Sequence, residues 1–153
     1  MGGVSEGINP FSQNVYLQKT PAGEVFRVNP ELLALLKSKK INTQEHINEI
    51  ITKAGSVQDV AWLNDEEKLV FRTAFEIDQN VIMRLAANRQ KYLDQCQSVN
   101  LFFDGKNPEE YISDVHQKFL LSDKLVCRYY INGRRNVGEH STNKSVPECE
   151  SCQ

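Results

Sequence analysis

A strand–helix–strand pattern begins at Ser98-Val99-Asn100-Leu101-Phe102-Phe103 and ends at residue 131. A helix start follows the first segment at Asn107-Pro108-Glu109-Glu110, with apolar residues at helical spacing behind it. Residues 125–131 form a second apolar segment that is typical of a strand. A strand, a helix and a strand within about 35 residues predict a βαβ unit with parallel strands. We therefore expect an α/β fold of the barrel or doubly wound kind.

Hairpin and helix signals precede this unit. Residues 15–19 and 24–28 are short strand candidates around Pro21-Ala22-Gly23, and this arrangement predicts a hairpin or a solvent-exposed arm. Four residues of N-cap type stand before apolar helical patterns and predict helix starts. They are Asn29, Asn42, Asn64 and Asp78.

Composition and charge exclude several classes of protein. Hydrophobic residues make up 40% of the chain, charged residues 25%, and the net charge is −2. This balance gives no electrostatic reason to expect nucleic acid or an anionic membrane as a partner. The sequence lacks the ~18 consecutive apolar residues of a spanning helix, and its start lacks the features of a signal peptide. We expect a cytoplasmic protein.

Two adjacent tyrosines, Tyr129 and Tyr130, stand in the second predicted strand, which we expect to end at them. The working residues of α/β folds collect at the C-terminal ends of parallel strands. Strict alternation along a strand would send the two rings to opposite faces, so a stacked pair requires the strand to twist or end there. Adjacent tyrosines suit one-electron transfer. The alternative is a pair of strand aromatics, one in the core and one at the rim.

The polar composition from Gly133 onward predicts a tail. Val137 and Val146 are its only branched aliphatic residues, too few to offset the entropy of ordering the segment. We therefore divide the chain into residues 1–132 and a flexible tail of residues 133–153. The tail carries Cys149 and Cys152, a dithiol suited to two-electron transfer, on a coil of about 22–26 Å r.m.s. span after Tyr130.

Other roles for the cysteines remain open. Cys96 and Cys127 lie in apolar segments, and we expect them to be small buried hydrophobic residues. Cys149 and Cys152 have the Cys-x-x-Cys spacing of half a zinc site, which His116 and His140 would complete. This metal site is the alternative to a redox dithiol.

Three segments besides Tyr129-Tyr130 and the terminal cysteine pair carry a family resemblance. Residues 55–58 are Gly-Ser-Val-Gln, residues 73–77 are Thr-Ala-Phe-Glu-Ile, and residues 89–102 are Arg-Gln-Lys-Tyr-Leu-Asp-Gln-Cys-Gln-Ser-Val-Asn-Leu-Phe. With Tyr-Tyr and the terminal cysteine pair, they resemble the C-terminal end of the large subunit of class I ribonucleotide reductase. The resemblance covers nearly the whole chain. It implies the C-terminal part of a ten-stranded α/β barrel, followed by the flexible tail.

The resemblance also implies residue roles. Tyr129 and Tyr130 match the pair that relays an oxidising equivalent from the small subunit towards the active-site cysteine. A phenol with a pKa near 10 holds its proton at neutral pH, so it gives up an electron and a proton together. Cys149 and Cys152 match the pair that reduces the active-site disulfide by thiol–disulfide exchange. A thioredoxin or glutaredoxin then reduces that pair.

The partners follow from the same resemblance. The radical cysteine, the catalytic carboxylate and the substrate-binding loop of the family precede the region represented here, so we expect no catalysis by this chain alone. Because the sequence begins with Met1, we expect the C-terminal piece of a large subunit encoded in two pieces, with an expression fragment as the alternative. The implied partners are the N-terminal portion of the large subunit and a small subunit with a di-iron or di-manganese radical cofactor. No cofactor is expected on this chain.

Two other functions compete with this interpretation. A noncatalytic binding or assembly fragment would dock on a reductase without completing it, and loss of a tyrosine or a tail cysteine would favour that role. A thioredoxin-like oxidoreductase would place Cys-x-x-Cys after a strand at a helix N-terminus, where the thiolate is stabilised. Here the motif stands at the chain end.

Overall fold

The computed structural model describes residues 8–20 and 23–134. Within them the strands form two two-stranded sheets, an antiparallel β1–β2 hairpin and a parallel β3–β4 pair. The mixed α/β class and the hairpin are confirmed. In chain order the elements are β1 (Val15–Thr20), β2 (Gly23–Val28), α1 (Pro30–Ser38), α2 (Gln44–Thr52), α3 (Asp65–Val70), α4 (Gln79–Gln90), β3 (Ser98–Asp104), α5 (Glu109–Leu120) and β4 (Cys127–Arg134).

Side-chain caps begin α1, α3 and α4 at the predicted residues, whereas α5 follows Pro108 with no side-chain cap. Asn29 accepts a hydrogen bond from the Glu31 N–H before α1, and Asp78 accepts one from the Asn80 N–H before α4. Asn64 forms a reciprocal capping box with Glu67 before α3. The start of α2 differs by one position, because the Thr43 hydroxyl accepts from the His46 N–H. Thr43, rather than Asn42, is therefore the cap.

Two clusters of buried apolar side chains form the core. One joins the hairpin to α1, α2 and the segment that leads into α3, with Leu32, Leu36 and Ile50 fully buried. The other joins α4, β3 and α5, with Leu101 and Val115 fully buried. The second cluster supports the βαβ unit, which the parallel pairing of β3 with β4 confirms.

The strands of the βαβ unit are buried very differently. The side chains of Val99, Leu101, Phe102 and Phe103 on β3 are buried between α4 and α5. On β4 every side chain is half-buried or exposed. β4 therefore presents its side chains at the surface of the described structure, supported by β3.

The predicted end of the second strand is wrong. The sequence predicts an end at residue 131, next to the tyrosines, but β4 runs from Cys127 to Arg134, so Tyr129 and Tyr130 lie in its first half. The strand continues because Gly133 and Arg134 pair with Phe103 and Asp104 on β3. The polar composition that starts at Gly133 conceals this pairing.

The predicted burial of Cys96 is also wrong. Cys96 is exposed and Cys127 is half-buried. Cys96 lies in the connection between the end of α4 and the start of β3, where residues 91–96 are all exposed. The neighbouring Asp94 and Gln95 keep this connection at the surface.

Candidate functional site

The tyrosines lie at a β-bulge in the parallel strand pair. Val99 pairs with Arg128, whereas Leu101 pairs with Ile131, so the register shifts by one residue between them. Asn100 of β3 is therefore opposite both Tyr129 and Tyr130. A bulge adds an unpaired residue to one strand and redirects the side chains beside it. The bulge therefore brings the two rings together, and the strand need neither twist strongly nor end at the tyrosines.

The two rings are in contact. Their centroids are 4.3 Å apart and their planes make an angle of 70°, an edge-to-face arrangement. Tyr129 is 59% exposed and Tyr130 56% exposed. The pair thus forms two touching phenols that are both more than half exposed.

Side-chain hydrogen bonds tie the strands together around the bulge. The Tyr130 N–H donates to Asn100 Oδ1 at 3.2 Å. Beyond the bulge, Asn132 Nδ2 lies 3.4 Å from the Leu101 carbonyl oxygen, to which it donates a weak hydrogen bond. The backbone that carries the tyrosines is therefore held to β3 by asparagine side chains of both strands.

An ion pair holds the far ends of the two strands. Arg134 Nη2 and Nε lie 2.5 and 3.0 Å from Asp104 Oδ2, and the guanidinium lies 4.8 Å from the centre of the Phe75 ring. Burial acts to raise the pKa of Asp104, but hydrogen bonds from Arg134 and the Lys106 N–H outweigh it and lower the pKa below its ordinary value. The charged pair stabilises the strand end that follows the tyrosines.

Two phenols in contact have the chemistry that one-electron transfer needs. A phenol is protonated at neutral pH and loses its proton when it is oxidised. Because the two rings touch, an electron that leaves one can be replaced directly from the other. Both rings are more than half exposed, which argues against the alternative in which one of them is buried in the core.

Of the other predicted site residues, only His116 lies within the described part of the chain. Cys149, Cys152 and His140 lie outside the described residues, so the dithiol and its zinc alternative stay predictions. His116 stacks on Phe103 at 5.4 Å, and its Nδ1 lies 2.7 Å from the Ile112 carbonyl oxygen. It is thus engaged in packing α5 on β3.

Within residues 8–20 and 23–134 the structure has neither a metal-binding cluster nor a membrane-spanning helix. No cluster of three or more histidine, cysteine, aspartate or glutamate side chains there is arranged to hold a metal ion. None of the helices in the same ranges is long and apolar enough to cross a membrane.

Asn100 was not among the predicted site residues. Asparagine is depleted in strands, so its presence between Val99 and Leu101 in an otherwise apolar strand is a signal in the sequence. That signal has meaning only once the register is known, because the register places Asn100 opposite the tyrosines.

Comparison with known families agrees with the fold. The family model described as "Ribonucleotide reductase, barrel domain" matches residues 1–121. The structure is similar to the class Id ribonucleotide reductase alpha subunit of Actinobacillus ureae, with a TM-score of 0.71 and 36% sequence identity. That similarity covers 87% of this chain and 24% of the other.

Curated relatives give the same family. The ribonucleoside-diphosphate reductase large subunits of Invertebrate iridescent virus 6 and Invertebrate iridescent virus 3 are 38% identical over 143 residues and 37% identical over 160 residues. These matches cover 88% and 99% of this chain but only 14% and 25% of the relatives. The chain therefore belongs to the ribonucleotide reductase large-subunit family, of which it represents a C-terminal part of the barrel domain.

Proposed function

We propose that this chain supplies part of the large subunit of a ribonucleoside-diphosphate reductase, which forms deoxyribonucleotides for DNA synthesis, and that Tyr129 and Tyr130 are its radical relays. The contact between the two rings at 4.3 Å is the observation that carries this proposal. A bulge that brings neighbouring side chains together is a costly interruption of a strand, and bulges are common beside active sites. Two exposed phenols in contact have little value for packing, whereas transfer through them requires that contact.

The relay consists of two coupled steps. An oxidising equivalent that reaches the exposed side of the pair takes one electron and one proton from the first phenol. That phenol then takes an electron and a proton from the second, which returns the first to its resting state. Moving both particles together avoids a charged intermediate, since a neutral phenol holds its proton at pH 7.

The second proposed role belongs to Cys149 and Cys152. A thiolate of this pair attacks the disulfide that forms in the active site during reduction, and a mixed disulfide results. The other thiol resolves the mixed disulfide and leaves Cys149 and Cys152 oxidised to each other. Thioredoxin or glutaredoxin then returns two electrons and two protons to the pair.

The proposed partners are the remaining portion of the large subunit and the small subunit, which would carry the di-iron or di-manganese radical cofactor. The small share of the relatives that this chain covers supports a need for the remaining portion. Exposed apolar side chains on β4 and just before it, Val126 and Ile131, support a covering partner. We propose that the chain is inactive without both partners.

Single tyrosine-to-phenylalanine variants test the relay. Tyr129→Phe and Tyr130→Phe keep the ring but lose the oxidisable phenol, and the change in the free energy of unfolding should not exceed about 0.5–1.5 kcal/mol. In the assembled enzyme we expect each variant to bind substrate normally and to form almost no deoxyribonucleotide, even in the first turnover. Rapid-quench measurement of product per active site checks this.

Tyr92→Phe is the matched control, because Tyr92 is 78% exposed in the connection after α4. It should leave the first turnover unchanged. Near-normal product formation by both Tyr129→Phe and Tyr130→Phe would remove the relay assignment. If assembly were also intact, a noncatalytic docking role for the chain would be favoured instead.

A further inference from the structure

A single residue of β3, Asn100, lies opposite the bulge at the tyrosines. Val99 and Leu101 make ordinary pairs with Arg128 and Ile131, and Asn100 between them is opposite two residues. A bulge interrupts the regular ladder at its extra residue. A side chain that binds the bulged backbone is one way to favour this register over a regular one.

The Asn100 side chain supplies such a bond. Its Oδ1 accepts a hydrogen bond from the Tyr130 N–H at 3.2 Å, across 30 residues of sequence. Val99 and Leu101 beside it are buried, whereas Asn100 is half-buried. An apolar side chain would fit the composition of β3 better, but it would offer no acceptor to the bulged strand.

We infer that Asn100 is a positioning residue for the tyrosine pair, because its carboxamide oxygen fixes the bulge that keeps the two rings in contact. This inference rests on the proposed relay function of Tyr129 and Tyr130. In a regular ladder, neighbouring side chains point to opposite faces of the sheet. Loss of the acceptor therefore weakens the register in which the rings touch, although both phenols remain.

Two substitutions of nearly the same size separate the oxygen acceptor from bulk. Asn100→Leu removes the acceptor, and Asn100→Asp keeps an oxygen at the same reach. In the assembled enzyme, Asn100→Leu should speed hydrogen–deuterium exchange of the Tyr130 amide by roughly two- to twelvefold, the equivalent of one hydrogen bond. It should also lower the first-turnover product yield without changing the KM for substrate. Asn100→Asp should retain slow exchange and most of the yield.

Asn107→Leu is the matched control at the other end of β3. Asn107 Oδ1 accepts a hydrogen bond from the Asp104 N–H at 2.6 Å, so this variant removes a bond of the same kind away from the bulge. It should leave Tyr130 exchange and product yield unchanged. If Asn100→Leu does not assemble, Asn100→Ala removes the acceptor without adding apolar bulk and is measured in the same way.

The outcomes distinguish this inference from the relay proposal. Unchanged Tyr130 exchange in Asn100→Leu and Asn100→Ala would overturn the inference, and so would faster exchange with an unchanged yield. An equal loss of yield in Asn100→Leu and Asn107→Leu would also overturn it, since the effect would then be general to β3. If Tyr129→Phe and Tyr130→Phe were active, the relay proposal would fail separately.

Discussion

Gln79 and Phe102 are joined by a buried hydrogen bond in which Gln79 Oε1 accepts from the Phe102 N–H at 2.9 Å. The Gln79 side chain also donates through Nε2 to the carbonyl oxygens of Ala74 and Ile77, at 3.0 and 2.7 Å. A side chain, rather than a strand, thus satisfies this main-chain group of β3. The first residue of α4 is thereby fixed to the strand that carries Asn100.

Replacing Gln79 should destabilise the fold through unpaired main-chain groups. Gln79→Met keeps an unbranched side chain of similar length but leaves the Phe102 N–H and the Ala74 carbonyl without their partner. Each of these two unpaired buried groups costs about 1–3 kcal/mol, so the free energy of unfolding should fall by roughly 2–6 kcal/mol. Denaturant unfolding of the full chain measures this change.

Gln117→Met on α5 is the control for that substitution, because Gln117 is exposed. Its free energy of unfolding should change by less than about 0.5 kcal/mol. Equal effects of Gln79→Met and Gln117→Met would contradict the role of the buried bonds.

Gly55 occupies a position that no larger residue fits. Its φ is +80°, and an added Cβ would lie 2.6 Å from the Cβ of Gln13. Its carbonyl oxygen also accepts a hydrogen bond from the Asn14 N–H at 3.0 Å, so the two segments cannot separate freely. Gly55→Ala should lower the free energy of unfolding by about 2–4 kcal/mol, through left-handed strain and overpacking.

Gly133→Ala is the matched control, since no atom lies within 4 Å of a Cβ added there. It should change the free energy of unfolding by less than about 0.5 kcal/mol in the same denaturation experiment. Destabilisation of comparable size in both variants would show that the close approach of Gln13 to Gly55 is not the cause.

The pair Asp104–Arg134 predicts a dependence on pH. The pKa of Asp104 is lower in the folded state than its ordinary value, so the charged pair stabilises the fold above about pH 4. That contribution is lost as the pH falls through the lowered pKa. Asp104→Asn should cost roughly 1–2 kcal/mol at pH 7, and its difference from the original chain should shrink in acid.

Denaturant unfolding of the original chain and of Asp104→Asn, from neutral pH to below pH 4, measures the difference between their free energies of unfolding. Asp114→Asn is the control, because Asp114 pairs with Lys118 while both side chains are about half exposed. An exposed pair contributes little, so this variant should be nearly neutral throughout. A constant effect of Asp104→Asn at every pH would contradict an electrostatic contribution.

Local signals in the sequence predict much of the fold. The caps at Asn29, Asn64 and Asp78 were predictable because each depends on residues within one helical turn. The βαβ unit was predictable because apolar periodicity changes between residues 98–103 and the helix that follows. The tyrosine pair came from the family resemblance, and its ring contact follows from tertiary structure.

Features that depend on pairing across the fold were missed. The strand end was placed too early because composition at Gly133 does not reveal that Arg134 binds Asp104. The bulge is not predictable from local sequence, because contacts distant in sequence fix the register of β3 against β4. A shift of one residue in that register moves each side chain to the other face of the sheet. Gln79 was missed for the same reason, since a buried glutamine shows its value only through its partners.

The terminal dithiol leads to a prediction that separates multiple turnover from one turnover. Cys149→Ser or Cys152→Ser should abolish sustained turnover driven by thioredoxin, because a single thiol cannot complete the exchange with the active-site disulfide. A prereduced complex should still complete roughly one round, since its active-site cysteines begin reduced. Product per active site, with and without thioredoxin, measures both quantities.

Cys96→Ser is the matched control, because Cys96 is an exposed free thiol in the connection between α4 and β3. It should sustain thioredoxin-driven turnover at the rate of the original enzyme. A first round that is lost in Cys149→Ser and Cys152→Ser would instead indicate a structural or metal-binding dithiol. Zinc bound at one equivalent to the original complex, and absent from both variants, would identify the metal site, since a serine hydroxyl does not replace a thiolate as a zinc ligand.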